Sequence, residues 1–356
     1  MSKPVIHAPG IWLNLDADTY HSDPALGSTD VKRLLVSAPD YWWHSRLNPA
    51  RPEDDGSTPS MIFGRAVHTM VLEGSEKFTS LYMREPSGEG LIVTDEDASR
   101  WIAENASRIP ADVKTLPRSK SGKLALIHQI DPGVPIADII KQQAEKDSIT
   151  ILKGDDYDRI VVASQMISRN PELARAFEGG MSEVSIFWEQ PVPEAGTVIR
   201  CKARLDYLKV RAIGDLKSIR NVAGLAFPSA CRRNIANYRY DVQAAHYMRA
   251  RATLPDHVAA GAVFGDHDPE WLARVAAATE YAFAFVFFQA TDAPITWACS
   301  LSPGNPILEF GEIDADRALL TYARFLERYG AEAAWILADP IAELDISEMP
   351  GWFGRS

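Results

Sequence analysis

The chain has 356 residues, 46% of them hydrophobic and 24% charged, with 37 Lys and Arg against 48 Asp and Glu. This composition is typical of a globular protein and excludes a disordered, collagenous or solenoid chain. The formal net charge of −11 argues against a protein that coats nucleic acid through bulk positive charge.

The cysteines and the N-terminus restrict the compartment and the kind of metal site. Cys201, Cys231 and Cys299 form no CxxC pair and have no His at zinc-finger spacing, so we expect neither disulfides nor a cysteine-rich metal site. No basic segment followed by an apolar run opens the chain, and it contains no stretch of about 18 apolar residues. We therefore expect a cytoplasmic protein with no membrane segment.

Helical periodicity dominates the first 180 residues of the chain. A helix with Ser28 or Thr29 as its N-cap is followed by a polar loop over 48–59, and the next helix places Gly64 and His68 on one face. The helices predicted in this half cover residues 28–39, 60–73, 96–106, 136–146 and 155–179.

Strand periodicity takes over after residue 183. Alternation over 184–188 and 198–208 predicts a hairpin around the turn 191–196, and a third strand follows after two residues. We expect an α/β fold with a mixed central sheet of about five strands flanked by helices. The remaining predicted elements are strand 211–217, helix 228–251, strands 281–289 and 295–301, and helix 314–329.

The order of elements divides one domain, residues 1–356, into four parts. The polar stretch over 88–155, interrupted by glycine and proline, is typical of an insertion. The parts are an N-terminal helical part over 15–87, the insertion over 88–155, a core over 156–330 and a C-terminal tail over 331–356.

The segment that carries chemistry is Arg204-Leu-Asp206 followed by Asp215-Leu-Lys217. Asp215 and Lys217 lie two residues apart on one strand, so their side chains project to the same face, and Asp206 ends the neighbouring strand. Carboxylates at this separation repel one another unless a cation lies between them, and hard oxygen ligands select Mg²⁺ or Mn²⁺. A lysine beside such a site can hold or deprotonate the attacking water.

The tripeptide D-x-K is also common as an exposed ion pair at the end of a strand. Here Asp215 lies in the apolar segment Ala212-Ile-Gly-Asp-Leu216, where an unpaired charge would be costly to bury. This context favours a metal site over a surface ion pair.

Four blocks occur in order along the chain: Gly64-Arg-Ala-Val-His68, Arg204-Leu-Asp206, Asp215-Leu-Lys217 and Gln243-Ala-Ala-His-Tyr247. In this order and at this spacing the chain resembles the PD-(D/E)xK nucleases of the RecB type, and most closely the RecE-like exonucleases (exodeoxyribonuclease VIII). The segment Leu26-Gly-Ser-Thr-Asp-Val-Lys32 also resembles the opening of RecE-type nuclease domains, so the resemblance runs from about residue 15 to 330. It implies a restriction-endonuclease-like core and a single nuclease domain.

The resemblance also implies roles for individual residues. Lys217 would orient or activate the water, and Gln243 and Tyr247 would contact the DNA or brace the site. Glu183, at the start of the preceding strand, is a secondary candidate, because related enzymes often carry an acid there. The divalent metals would be bound by His68, Asp206, Asp215 and the Leu216 carbonyl.

Other interpretations of these residues stay open. A lone His68 is more typical of a core histidine than of a ligand, and Gln243 and Tyr247 at i, i+4 also fit a helix-surface pair. The small Gly64, which admits a ligand, and the downstream acidic pair favour the metal-binding interpretation of His68. The iron–sulfur members of the RecB class need four cysteines, so we expect no iron–sulfur cluster in this chain.

Charge is more informative when it is counted locally. Residues 200–251 contain twelve Lys and Arg and three Asp, a balance of +9, and the rest of the chain therefore carries −20. We expect this segment to meet DNA phosphates. The candidate DNA-binding residues are Arg204, Arg220, Arg232, Arg233 and Arg239.

The resemblance implies a Mg²⁺-dependent exonuclease, with Mn²⁺ as a substitute, that digests one strand of linear duplex DNA in the 5′→3′ direction. It further implies a 3′ single strand for a RecT-like annealing partner, and a homo-oligomeric ring acting on DNA ends in a bacterial or phage-infected cell. Two other functions stay open: a structure-specific or flap endonuclease of the same fold, and a catalytically silent DNA-end-binding phage protein. Residues 88–155 could form a clamp over the DNA entrance or a plain surface insertion.

Overall fold

The computed structural model of the chain describes residues 5–51, 58–291, 293–337, 341 and 343–353. Parts of the predicted loop 48–59 and of the predicted tail 331–356 lie outside the described residues. The strands are β1 (Gly10–Trp12), β2 (Tyr82–Arg84), β3 (Thr150–Leu152), β4 (Met181–Val192), β5 (Thr197–Leu208), β6 (Ala212–Ile219), β7 (Val263–Phe264), β8 (Ala282–Gln289) and β9 (Thr296–Leu301).

The α-helices precede, separate and follow these strands. They are α1 (Ala17–Ser22), α2 (Ser28–Val36), α3 (Ala38–His44), α4 (Pro59–His68), α5 (Ser75–Leu81), α6 (Asp95–Glu104), α7 (Lys120–Ile130), α8 (Ala137–Lys146), α9 (Gly154–Arg169), α10 (Pro171–Ala174), α11 (Phe227–Asn237), α12 (Tyr240–Ala252), α13 (Leu254–Ala259), α14 (Pro269–Ala277) and α15 (Pro306–Tyr329).

A seven-stranded mixed sheet forms the centre of the molecule, in the order β7-β1-β4-β5-β6-β8-β9. Strands β6 and β8 are parallel and are joined by a crossover through α11 to α14, whereas β4-β5, β5-β6 and β8-β9 are antiparallel pairs. The predicted mixed α/β sheet is confirmed, but the predicted number of about five strands was too low. Strands β1 and β7 have three and two residues, too few for alternation to be recognised in the sequence.

Helices cover both faces of this sheet, and β8 shows how the core is shared between them. Phe283, Phe285 and Phe287 belong to the large core that includes residues of α2, α12 and α15, whereas Val286 and Phe288 pack in a second core with residues of α4 and α9. An unbroken apolar run is what a strand buried on both faces requires. By the same alternation in β6, odd-numbered residues point towards α12 and even-numbered residues towards α4.

Several predicted helices have different ends in the structure. The predicted helix 228–251 is two helices, because Arg239 between α11 and α12 adopts a left-handed backbone with φ of 50°. The predicted helix 155–179 ends at Arg169, where Asn170 caps the next short helix and Pro171 opens it. The predicted helix 314–329 begins at Pro306.

The first helices also differ in detail from the prediction. The N-cap of α2 is Gly27 instead of Ser28 or Thr29, and the Asp30 carboxylate accepts the Gly27 N–H at 2.9 Å. The predicted helix 60–73 is α4 followed by one π-helical turn, Thr69–Glu73.

Residues 88–155 contain three helices, where the sequence predicted two. Helix α7 was missed, and it packs with α6 around a small separate core that contains Ile92, Ile102, Ile127 and Ile136. Strands β2 and β3 pair in parallel at the two ends of this region and return the chain to α9. Among the described helices, none has the length and apolar character needed to cross a bilayer.

Candidate active site

The site begins where strands β5 and β6 separate. The two strands pair through Tyr207–Gly214 and Leu208–Ile213, and the described register contains no pair beyond these. Asp206 fills the opening, and its Oδ2 accepts a hydrogen bond of 2.8 Å from the Leu216 N–H. A side-chain carboxylate therefore replaces one backbone pairing and is held in place by the neighbouring strand.

Asp215 and Lys217 share one face of β6, as predicted, and this face is turned towards α12. Lys217 Nζ lies 2.5 Å from Asp215 Oδ2. The Gln243 side chain on α12 donates a hydrogen bond of 2.9 Å to Asp215 Oδ1, and Tyr247, one turn later, is buried against Phe283. Gln243 therefore contacts the D-x-K strand directly, whereas Tyr247 packs in the core behind it.

His68 approaches the same strands from the opposite layer, at the end of α4. Its Nε2 donates to the Leu216 carbonyl at 3.0 Å and lies 3.7 Å from Asp206 Oδ2, while its Nδ1 lies 3.9 Å from Glu183 Oε1. Space beside Gly64 is open, since a Cβ built there meets no atom within 4 Å. The His68 ring therefore lies between the Asp206 and Glu183 carboxylates, with its Nε2 on the Leu216 carbonyl.

Glu183 reaches this cluster through an unusual backbone. Its φ of 56° places a residue of β4 in the left-handed region, which costs a non-glycine residue of the order of 1–3 kcal/mol. Arg204 fixes the side chain: its Nε donates to Glu183 Oε2 at 2.5 Å, and its guanidinium also bonds the Leu15 carbonyl and the Ser185 hydroxyl. The left-handed backbone of Glu183 and its hydrogen bond from Arg204 together orient the Glu183 carboxylate towards His68.

These side chains fit a divalent cation. His68, Glu183 and Asp206 each offer one donor atom, and the three atoms lie within 4.8 Å of one another. Both oxygens of the buried Asp215 carboxylate are engaged, Oδ2 by the Lys217 ammonium and Oδ1 by the Gln243 amide. Of the predicted ligands, His68 and Asp206 are in this group and the secondary candidate Glu183 completes it, while Asp215 and the Leu216 carbonyl lie beside it.

Electrostatic coupling inside the site sets its protonation. Burial opposes the charged form of His68, but Asp206 and Glu183 outweigh it and raise the pKa of His68 to about 9. Burial, aided by the charge of Asp215, raises the pKa of Asp206 to about 6. Against burial, Asp215 and Asp206 hold the pKa of Lys217 above its ordinary value, so Lys217 is a proton donor in this state and not a base.

The predicted DNA-binding arginines fall into two groups. Arg204 is held by Glu183, and Arg239 makes ion pairs with Asp241 and Asp314, so both guanidinium groups are occupied by carboxylates. The other three are exposed and form no ion pair with the described residues; they are Arg220, Arg232 and Arg233.

Two residues near Lys217 were not predicted. Tyr240, at the start of α12, has its ring centroid 5.2 Å from Lys217 Nζ and 5.6 Å from Lys32 Nζ. Lys32 lies in the N-terminal block that resembles RecE-type domains, but nothing in that block tells which of its side chains reaches the D-x-K strand.

Comparison with known proteins agrees with this geometry. Residues 46–257 match the family described as a PDDEXK-like domain of unknown function (DUF3799), which is more than half of the chain. The chain belongs to this PDDEXK-like family. The matched range of the PDDEXK-like domain contains all four sequence blocks, from Gly64 to Tyr247, and the predicted PD-(D/E)xK fold is confirmed.

Two solved structures are similar to this PDDEXK-like chain. One is a candidate exonuclease from Eubacterium rectale, with 11% identity, 93% of this chain and 97% of that chain covered and a TM-score of 0.44. The other is SSO0001, with 11% identity, 74% of this chain and 87% of that chain covered and a TM-score of 0.23. No curated protein matches the chain. The PDDEXK-like domain and its cluster of candidate metal ligands support a nuclease.

Proposed function

We propose that this protein is a Mg²⁺-dependent exodeoxyribonuclease that hydrolyses the phosphodiester bonds of linear double-stranded DNA. The observation that carries the proposal is the convergence of His68, Glu183 and Asp206 beside the Asp215–Lys217 pair at the separation of β5 and β6. Chemistry on a polyanion at a cluster of carboxylates requires a cation, and this cluster has the donors to bind one.

The residues of the site would have different roles in the reaction. Asp206, His68 and Glu183 would hold the divalent cation, which supplies positive charge to the phosphate oxygens. Lys217, a charged donor beside Asp215, would orient water or stabilise the developing negative charge on phosphate. Gln243 on α12 donates to Asp215 Oδ1 and so holds the carboxylate with its other oxygen, Oδ2, facing Lys217.

Further parts of the proposal rest on the four sequence blocks and their resemblance to RecE-like exonucleases. Digestion would proceed 5′→3′ and leave a 3′ single strand for recombination through a RecT-like annealing protein. The active form would be a homo-oligomeric ring on DNA ends, in the cytoplasm of a bacterial or phage-infected cell. The exposed Arg220, Arg232 and Arg233 would meet DNA phosphates, and Mn²⁺ would substitute for Mg²⁺.

The decisive experiment compares linear and covalently closed circular duplex DNA in the presence of Mg²⁺. We expect digestion of the linear form alone, and loss of activity in Lys217→Ala but not in Lys77→Ala, a matched change at an exposed lysine. Duplexes labelled at the 5′ or the 3′ end then report polarity and product length. Equal cutting of circles would identify an endonuclease instead, and full activity in Lys217→Ala would exclude the proposed site.

A catalytically silent DNA-end-binding protein is distinguished by metal binding. Mg²⁺ at about 100 times its Kd should stabilise the folded protein by about 2.7 kcal/mol, and Asp206→Asn should remove this gain. The amide oxygen introduced by this substitution can still accept the Leu216 N–H, so the variant keeps the local structure and loses only the charge. Duplex binding without cleavage and without stabilisation by Mg²⁺ would support the silent binding protein.

A further inference from the structure

Lys32 is a second cation beside the D-x-K strand. It lies on α2, whose neighbouring residues Val31 and Leu34 are buried in the main core, so its backbone is firmly placed. Its ammonium and that of Lys217 both lie within 5.6 Å of the centre of the Tyr240 ring. Two positive charges therefore border one aromatic ring at the edge of the proposed active site.

Lys217 is neutralised by a carboxylate, whereas Lys32 is not. Lys217 pairs with Asp215, and Asp241, the other acid of this region, is bonded by the Arg239 guanidinium at 2.8 and 3.1 Å. Among the described residues Lys32 has the Tyr240 ring as its contact and forms no salt bridge or hydrogen bond. Burial, aided by the charge of Lys217, lowers the pKa of Lys32 to about 8 against the opposing charges of Asp215 and Asp241.

A partly buried lysine without a carboxylate costs stability, because its ammonium loses water and gains little in return. A ligand that supplies negative charge at this place would offset that cost. The anion that fits this place is a DNA phosphate, since the ring that Lys32 faces also borders Lys217.

We propose that Lys32 and Tyr240 form a subsite that binds a backbone phosphate of the DNA strand being cut, next to the phosphate that Lys217 contacts. Lys32 would donate to a non-bridging phosphate oxygen. The Tyr240 ring, which both ammonium groups face, would keep Lys32 and Lys217 apart so that each contacts its own phosphate. This inference rests on the proposed function, because it takes the strand near Lys217 to be the substrate.

The test replaces Lys32 by Met, which keeps the length of the side chain and its packing on Tyr240 but removes the charge. Binding of a short labelled duplex is measured in EDTA at several salt concentrations, for the wild type, Lys32→Met, Lys32→Arg and Lys77→Ala. We expect Lys32→Met to weaken binding about tenfold or more and to reduce the slope of log affinity against log salt by about one. Lys32→Arg and Lys77→Ala should retain wild-type binding, and the Tm of Lys32→Met should equal or exceed that of the wild type.

The possible outcomes separate the subsite from the proposed function. If the wild type neither binds nor cuts duplex DNA, the proposed function fails and the subsite fails with it. If the wild type binds and cuts DNA but Lys32→Met has the same affinity and salt slope, the subsite alone is excluded. If Lys32→Met loses both DNA affinity and Tm, and Lys32→Arg also fails to bind DNA as the wild type does, Lys32 is a structural residue. This outcome would overturn the subsite as well.

Discussion

Glu183 has an energetically costly backbone conformation and also belongs to the cluster with His68 and Asp206. A φ of 56° in a strand residue is unfavourable for any side chain with a Cβ, yet Glu183 contributes one of the three atoms that lie within 4.8 Å of one another. Residues with such strain are found where a site needs a side chain in a direction that regular structure does not give. The strain in β4 is therefore part of how the cluster is assembled.

This interpretation predicts different stabilities for two substitutions of Glu183 that have the same effect on function. Both Glu183→Ala and Glu183→Gly remove the carboxylate, so both should lose the stabilisation by Mg²⁺ and the nuclease activity. Only glycine adopts a φ near 56° without strain, so Glu183→Gly should be more stable than Glu183→Ala by about 1 kcal/mol.

Urea denaturation without metal measures this difference, and because neither alanine nor glycine offers Arg204 an acceptor, the loss of that ion pair cancels between the two variants. Equal stability of the two variants would show that the backbone of Glu183 is not strained in solution.

The sequence predicted some site residues and missed others for a physical reason. Asp215 and Lys217 could be predicted to share a face because alternation in a strand has a fixed period of two. Glu183 was only a secondary candidate, since a left-handed glutamate leaves no pattern in the sequence. Lys32 and Tyr240 meet at Lys217 through the packing of α2 against α12, which are about 200 residues apart in the chain and whose relative placement no local pattern determines.

At the scale of elements, the close crossing of α12 and α15 depends on a glycine. A Cβ on Gly311 would lie 2.3 Å from the Asp241 carbonyl oxygen, far inside van der Waals contact. Ion pairs from Arg239 to Asp241 and Asp314 connect the same two helices. Because α12 also carries Gln243, which bonds Asp215, the position of α15 supports the active site at a distance.

Two helical glycines provide a matched pair for this contact. Gly311→Ala should destabilise the protein by about 1–3 kcal/mol, because α15 must move away from α12 to admit the methyl group. Gly64→Ala should stabilise it by about 0.5–1 kcal/mol, because the space there is open and alanine is the better helix former. Urea-unfolding midpoints of the two variants show whether Gly311→Ala lowers stability and Gly64→Ala raises it. A Gly311→Ala variant as stable as the wild type would contradict the close approach of α15 to α12.

The ends of elements were predicted less well than their existence. The long apolar strand β8 and the β4–β5 hairpin have strong patterns, and both are present with longer strands than predicted in the hairpin. The division between α11 and α12 was missed because the apolar spacing continues across Arg239 while its backbone turns to φ of 50°. Strands β1 and β7 exist through pairing with β4 and with each other, which a local pattern cannot show.

At the scale of the whole molecule, the local charge of +9 over residues 200–251 overstates what is free to bind DNA. Arg200 pairs with Asp23, Arg204 with Glu183 and Arg249 with Asp316, so acids from other parts of the chain neutralise much of the segment. Lys202 is buried and donates to backbone carbonyls. The segment therefore offers a few exposed cations on an acidic protein, in place of a continuous basic surface.

This distribution predicts a shallow salt dependence that a few residues control. Because counterion release follows the number of phosphates contacted, Arg232→Gln combined with Arg233→Gln should reduce the slope of log affinity against log salt by about two and weaken duplex binding at low salt. Arg274→Gln combined with Arg324→Gln changes the net charge of −11 by the same amount at exposed positions outside the segment and should leave the slope unchanged. Titration of a labelled duplex at several salt concentrations measures both. An equal effect of the two double variants would mean that net charge, and not the placement of these arginines, governs the approach of DNA.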